Sequence, residues 1–300
     1  MRLPLRSFAV LALVGAVDLS AQSPDALTAP LPDCSSCAEW NAPHPPFRIH
    51  GGSYYVGTAG LGAILVTSRD GHVLIDAGLP ETAPLILRNI EALGFRPSDV
   101  KLVLNSHAHY DHAGGIAAIQ RATDAEVAAS RWSARVIETG RATADDPQYR
   151  SAIAYPGAKR VRVFADGDTL RVGALSLVAH LTPGHTPGGT SWSWTSCENE
   201  RCLALVYADS QTPISDDDFE FTRSRTYTTG VADFRRGHAL LESIRCDILL
   251  TPHPGASQLF ARMEGRSDGP RLIDPDGCRR YAANARAALE RRLAREAAGR

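Results

Sequence analysis

The run Asn105-Ser106-His107-Ala108-His109-Tyr110-Asp111-His112 places three imidazoles and one carboxylate within six consecutive positions. Neutral imidazole and carboxylate are the ligands zinc prefers. The run follows the apolar stretch Leu102-Val103-Leu104 and precedes Gly114-Gly115. A loop at the end of a strand can aim all four groups into one cleft. Four donors so close together exceed what one tetrahedral ion takes from one segment, so the pattern predicts two metal ions and further ligands from elsewhere.

Two other histidines share this setting. His185 lies in Thr182-Pro183-Gly184-His185-Thr186-Pro187-Gly188-Gly189, and His253 in Thr251-Pro252-His253-Pro254, each just after an apolar strand-like stretch. Loops at one edge of a sheet can converge on one cleft. His44, His50, His72, His180 and His238 lack this context. His238 interrupts the apolar face of a helix and reads as packing.

The elements that must carry these loops follow from periodicity. Phe47 to His50 and Ser53 to Val56 flank Gly51-Gly52, and Ala63 to Thr67 and His72 to Ile75 flank Ser68-Arg69-Asp70-Gly71; both read as hairpins. Glu81 to Leu93 is an amphipathic helix stopped by Gly94. A strand over Lys101 to Leu104, a helix from Gly115 to Arg121, a strand over Glu126 to Ala129 and a helix over Ser133 to Thr139 follow. Gly140 to Lys159 has no period and reads as a long loop of the kind that is often functional. The second half predicts strands at Arg160 to Phe164, Thr169 to Val172, Leu175 to Leu181, Ser191 to Trp194, Leu203 to Tyr207 and Ile248 to Leu250. Helices are predicted over Val231 to Ile244, Ser257 to Glu264 and Gly277 to Glu296. Strand-rich hairpins followed by helices, twice, suit two face-to-face sheets with helices outside.

The bulk properties exclude some functions. The net charge is -1, which gives no electrostatic reason for nucleic acid or an anionic membrane as partner. Met1 to Arg6 carries two positive charges, Phe8 to Val17 is apolar, and Leu19-Ser20-Ala21 suits cleavage before Gln22. That order reads as a secretory signal peptide over residues 1–21, followed by an irregular Pro-rich arm at 22–46 and one domain at 47–300. No segment is long enough to span a bilayer comfortably. Six cysteines agree with export but allow fifteen pairings. Cys197 and Cys202 flank a hairpin tip, Cys246 and Cys278 could staple the last helix to the sheet, and Cys34 and Cys37 form a C-x-x-C outside any redox-fold context.

The H-x-H-x-D-H-x-G-G loop, the P-G-H-T-P-G-G loop and the strand-end His253 resemble the metallo-β-lactamase superfamily. Within it, Tyr207-Ala208-Asp209-Ser210 is most similar to the third subclass of class B β-lactamases. The resemblance covers Phe47 to the C-terminus. It implies an α+β fold, a four-layer αββα sandwich with the metal site at one edge of the two sheets. It also implies two Zn2+ ions, His107, His109 and His185 on the first and Asp111, His112 and His253 on the second. A zinc-bound hydroxide would attack the β-lactam amide of penicillins, cephalosporins and carbapenems, giving antibiotic resistance. Asp111 and Ser210 would serve catalysis, and Ser210 and Thr212 would meet substrate. The protein is then expected to be a periplasmic monomer with no nucleic-acid or membrane partner. Thioester or lactone hydrolases of the same superfamily are the alternative, with Asp209 as a bridging ligand; the sequence leaves open whether Asp209 or Ser210 faces the metals. A non-catalytic zinc protein is disfavoured, because structural zinc sites close with four ligands.

Overall fold

The computed structural model describes residues 34–265 and 271–299. The signal peptide expected at 1–21, and residues 22–33 of the arm expected at 22–46, lie outside the described residues. Ser35–Arg300 is one compact unit.

Twelve strands among the described residues build two sheets. The first holds β1 (Phe47–His50), β2 (Ser53–Tyr55), β3 (Ile64–Ser68), β4 (Gly71–Ile75), β5 (Val100–Leu104), β6 (Glu126–Ser130) and β7 (Val161–Phe164), in that spatial order. β1 to β4 are antiparallel hairpins, and β4 to β7 run parallel. The second holds β8 (Thr169–Val172), β9 (Leu175–Leu181), β10 (Thr190–Glu198), β11 (Arg201–Tyr207) and β12 (Ile248–Leu250). Its order is β12-β11-β10-β9-β8, antiparallel except for the parallel β11–β12 pair.

Burying one face of each sheet against the other makes the core. Ile64, Val66, Val73, Ile75, Leu102 and Leu104 meet Leu177, Ala179, Trp192, Leu205, Tyr207 and Leu250. At about 25 cal/mol per Å2 of apolar surface, this layer is the main source of stability. On the outer face of the first sheet sit α2 (Ala83–Ala92), α4 (Ile116–Thr123) and α5 (Arg131–Thr139). On the second, α6 (Gly230–Ser243) and α8 (Gly277–Ala297) cover Val206, Ala208 and Leu249. Two sheets between two helix layers are the αββα sandwich the sequence resemblance implied.

The remaining helices are short: α1 (Cys37–Trp40), α3 (Tyr110–Ala113) and α7 (Leu259–Glu264). α1 gives regular structure to part of a segment expected to be irregular. β10 and β11 run on to a tip at Asn199, longer than the alternation predicted, and Cys197 and Cys202 face each other in register and are bridged. Cys246 and Cys278 are bridged as well, and no cysteine among the described residues is free. The helix predicted from Ser257 begins late: Gln258 adopts φ 53° and separates a 3-10 turn, Pro254–Ser257, from α7.

Candidate metal centre

Three loops meet at the C-terminal ends of β5, β9 and β12. After β5 the chain leaves the sheet at Asn105 and re-enters regular structure at α3, which carries Asp111 and His112. Buried Asp76, just after β4, fixes that departure. Its carboxylate accepts from Ser106 N (2.7 Å), Ser106 Oγ (2.6 Å), Asn105 Nδ2 (3.2 Å) and Tyr207 Oη (2.9 Å). Asp76 adopts φ 61°, a conformation few non-glycine residues take, and these four bonds hold it there. Tyr155 Oη donates to Ala108 O (2.8 Å) and pins the middle of the same loop.

The six predicted side chains form two trios. Each of His107, His109 and His185 offers a ligand atom within 4.8 Å of the others. Their ring centroids are 4.9 to 5.0 Å apart. In the second trio Asp111 Oδ2 lies 3.1 Å from His112 Nε2 and 3.2 Å from His253 Nε2, and the two Nε2 atoms are 3.3 Å apart. Such crowding of donor atoms repels unless a proton or a metal ion lies among them. His107 and His112 join the trios, with centroids 4.4 Å apart.

Outer partners decide which nitrogen four of the five imidazoles present, His112 Nδ1 being buried without one among the described residues. His107 Nδ1 donates to Asp209 Oδ1 (2.8 Å), His185 Nδ1 to Thr212 O (2.9 Å) and His253 Nδ1 to Gly60 O (3.0 Å). Each of these rings therefore turns Nε2 inward. His109 is held the other way, with Nε2 donating to both oxygens of Asp146 (3.1 and 3.2 Å), so its Nδ1 faces the cluster. Fixing the tautomer through the far nitrogen is the usual way a protein prepares a histidine for a metal.

Burial and charge act in the same sense. Burial, aided by the neighbouring imidazoles, keeps His107 well below the ordinary histidine range and lowers His185 to about 3. Both rings are neutral, the form that coordinates. Burial opposes charge on His109 and His253 too, but Asp146 and Asp111 respectively outweigh it and raise them. Burial alone would raise Asp111, yet His112 and His253 hold it well below the carboxylate range. Burial pushes Asp209 up. Soft-to-borderline nitrogen donors, one carboxylate and pre-set tautomers fit zinc, with five imidazoles to one carboxylate arguing against magnesium or calcium.

Asp209 does not stand among the inward donor atoms; it backs His107 from behind. It is fully buried, and a Cβ on Gly189 would lie 2.3 Å from its Oδ2, so glycine is required there. Ser210 follows at the same strand end, almost buried. Thr212 is exposed and contributes its main-chain oxygen to His185. Trp40 packs its ring 5.0 Å from that of His253. Tyr155 is buried under the loop, Phe221 packs on Phe234, and Tyr149 is exposed. Asp76 and Asp146 escaped the sequence reading. Asp76 had a faint signal, a carboxylate directly after an apolar strand; Asp146 had none within a loop without period.

The sequence profile of the family described as "Metallo-beta-lactamase superfamily" matches residues 63–198. Among solved structures, the chain is 51% identical to the Rm3 metallo-beta-lactamase, covering 88% of this chain and 99% of that one, with a TM-score of 0.85. It is 42% identical to MEM-A1, a subclass B3 metallo-beta-lactamase from a soil metagenome library, covering 87% and 100%, with a TM-score of 0.84. A probable metallo-hydrolase of Burkholderia pseudomallei (strain 1710b) is 32% identical over 57% of this chain and 54% of its own length. The chain spans about half the length, or less, of the curated relatives it matches.

Proposed function

The chain belongs to the metallo-β-lactamase superfamily, and on that premise we propose that it hydrolyses the amide bond of β-lactams, penicillins, cephalosporins and carbapenems alike, as an exported resistance enzyme. The single observation that carries the reading is the pair of donor trios at one sheet edge, with Asp209 spent on His107 rather than on the metals. In this reading His107, His109 and His185 hold one zinc ion, and Asp111, His112 and His253 a second. Bound there, zinc supplies Lewis acidity toward the lactam carbonyl and lowers the pKa of a nucleophilic water to about 7.

The chain's own residues do the rest. Asp209, Asp146 and the carbonyls of Thr212 and Gly60 keep the imidazoles aimed without reorganisation during turnover. Asp111, ionised and beside His112 and His253, orients the attacking water as well as serving as a ligand. Ser210 supports that water or Asp111 by a hydrogen bond. Thr212 uses its exposed hydroxyl for the substrate carboxylate, next to the imidazole its carbonyl anchors. No side chain forms a covalent intermediate, so acyl transfer to the protein is not needed.

Periplasmic location by way of the N-terminal signal belongs to the same reading. The sequence pattern at residues 1–21 supports it, as does oxidation of the cysteines among the described residues. No described helix is long and apolar enough to cross a membrane. A monomer suffices, since one chain supplies both trios.

Nitrocefin and meropenem hydrolysis should be followed in the mature protein before and after EDTA, with zinc added back and zinc counted per chain. Turnover abolished by EDTA and restored by zinc is expected. Full zinc occupancy without lactam turnover would refute the proposal and turn attention to thioesters and lactones.

A further inference from the structure

We propose that Asp216 is a positioning residue, a latch that ties together the two loops whose far ends hold the outer nitrogens of His109 and His185. The inference rests on the zinc-hydrolase reading above. The first loop spans residues 140–160, between α5 and β7, and carries Asp146. The second spans residues 208–220, after β11, and carries Thr212. Neither loop has a strand ladder to stiffen it. Yet one supplies the acceptor for His109 Nε2 and the other the acceptor for His185 Nδ1.

Asp216 joins them at four points. Its Oδ2 accepts from Arg150 N (2.7 Å), and its Oδ1 accepts from Ser151 N (3.1 Å) and Ser151 Oγ (2.6 Å). Its own N donates back to Pro147 O (2.9 Å). A carboxylate capping two successive main-chain amides is a charge-assisted arrangement stronger than a neutral pair. The latch reaches the site through short, tight segments. On one side Asp146 O accepts from Tyr149 N (3.1 Å), and Asp146 Oδ1 accepts from Gln148 N (2.9 Å), so residues 146–149 form a closed turn. On the other, Ile214 N donates to Thr212 O (2.9 Å), the same oxygen that holds His185. The second trio hangs on Gly60 and α3 instead, outside both loops. Loss of the latch therefore softens the first trio and spares the second.

The other link between these loops is the Arg150–Asp218 ion pair (2.9 Å), whose side chains are 73% and 56% exposed. Exposed pairs of this kind contribute little in water. It supplies an internal control, because the latch uses the main chain of Arg150 and not its guanidinium.

The test compares Asp216→Ala, Asp216→Asn and Arg150→Ala in the full mature chain. Zinc affinity is read by chelator competition, and amide hydrogen exchange at Arg150 and Ser151 by NMR. Asp216→Ala should weaken binding of the first-trio ion about tenfold, the low end for outer partners of metal ligands. It should also speed exchange at both amides at least about tenfold, with the melting point of the metal-free protein nearly unchanged. Asp216→Asn keeps one acceptor oxygen for Ser151 and should recover most of the affinity, and Arg150→Ala should match the parent. Fast exchange with unaltered zinc affinity would overturn the proposal, since the latch would then position nothing. Unaltered exchange would overturn it too. Failure of the zinc reading itself looks different: the parent protein would bind no zinc.

Discussion

Replacing Asp209 by alanine probes the difference between a residue that backs a ligand and one that is a ligand. His107 Nδ1 and Asp209 Oδ1 are 2.8 Å apart, and their side chains are 1% and 0% exposed. Water cannot take over a bond buried this deeply, so Asp209→Ala leaves the His107 N–H without an acceptor. Leaving a buried donor unsatisfied costs about 1–3 kcal/mol. At about 1.4 kcal/mol per decade, that is a loss of roughly 5- to 140-fold. Removing outer partners of metal ligands costs about 10- to 100-fold in affinity. The complete burial puts the expected loss near about 100-fold for the ion on His107, His109 and His185. Asp209→Asn keeps the acceptor, and its loss of affinity should stay below about tenfold. Its new amide hydrogens point where Asp209 Oδ2 has no partner, so the cost appears as about 1–3 kcal/mol of stability instead. Chelator competition with zinc counted per chain reads both effects. Affinity equal to the parent in Asp209→Ala would refute the reasoning. A fall by one zinc ion per chain, with the remaining ion held as before, would make Asp209 a direct ligand.

Three further outcomes are expected. Burial, with Arg286 nearby, lowers His238 to about 4 against about 6.5 in an unfolded chain. The fold favours the neutral ring, so this contribution is present above about pH 6.5 and is lost as pH falls toward 4; it amounts to at most about 3 kcal/mol. His238→Phe should flatten urea midpoints across that window, and an unchanged slope would sink the assignment. The Cys246–Cys278 bridge closes a separation of 32 residues and Cys197–Cys202 one of 5. Loop-closure entropy then predicts losses of about 3.7 and 2 kcal/mol for the respective double serine variants. Denaturant melts giving the reverse order would contradict it. Tyr155→Phe removes the bond to Ala108 O and should cost about 1 kcal/mol with no change in zinc count; a lost zinc ion would show a larger role.

The parts legible in the sequence are those written locally. The apolar runs of β3 and β4 and the 3.6-residue rhythm of α2 survive without knowledge of the partners they pack against. The H-x-H-x-D-H run is itself a local object, and His185 and His253 shared its strand-end context. What sequence could not show arises where two distant segments meet. Asp146 touches His109 across 37 positions from a loop with no pattern. Whether Asp209 or Ser210 turns toward the cluster depends on a strand's rotation by one residue, and on the packing of Gly189 against that strand. Thr212 contributes to His185 through its main chain, which every residue type carries equally. The helix predicted from Ser257 starts late because Gln258 takes a left-handed conformation that composition does not announce.

The donors of the second trio lie far apart along the chain: His112 and His253 are 141 positions from each other. An unfolded chain keeps the local H-x-H-x-D-H run but loses this closure, so zinc binds the native form far better. At a free zinc level 100 times the dissociation constant, such preference deepens native stability by about 2.7 kcal/mol. Where zinc is scarce that margin disappears, more chains sample open forms, and proteases remove them. The amount of this protein in a cell should therefore track metal supply, making the reach between two loops a nutritional gauge of the enzyme's own lifetime.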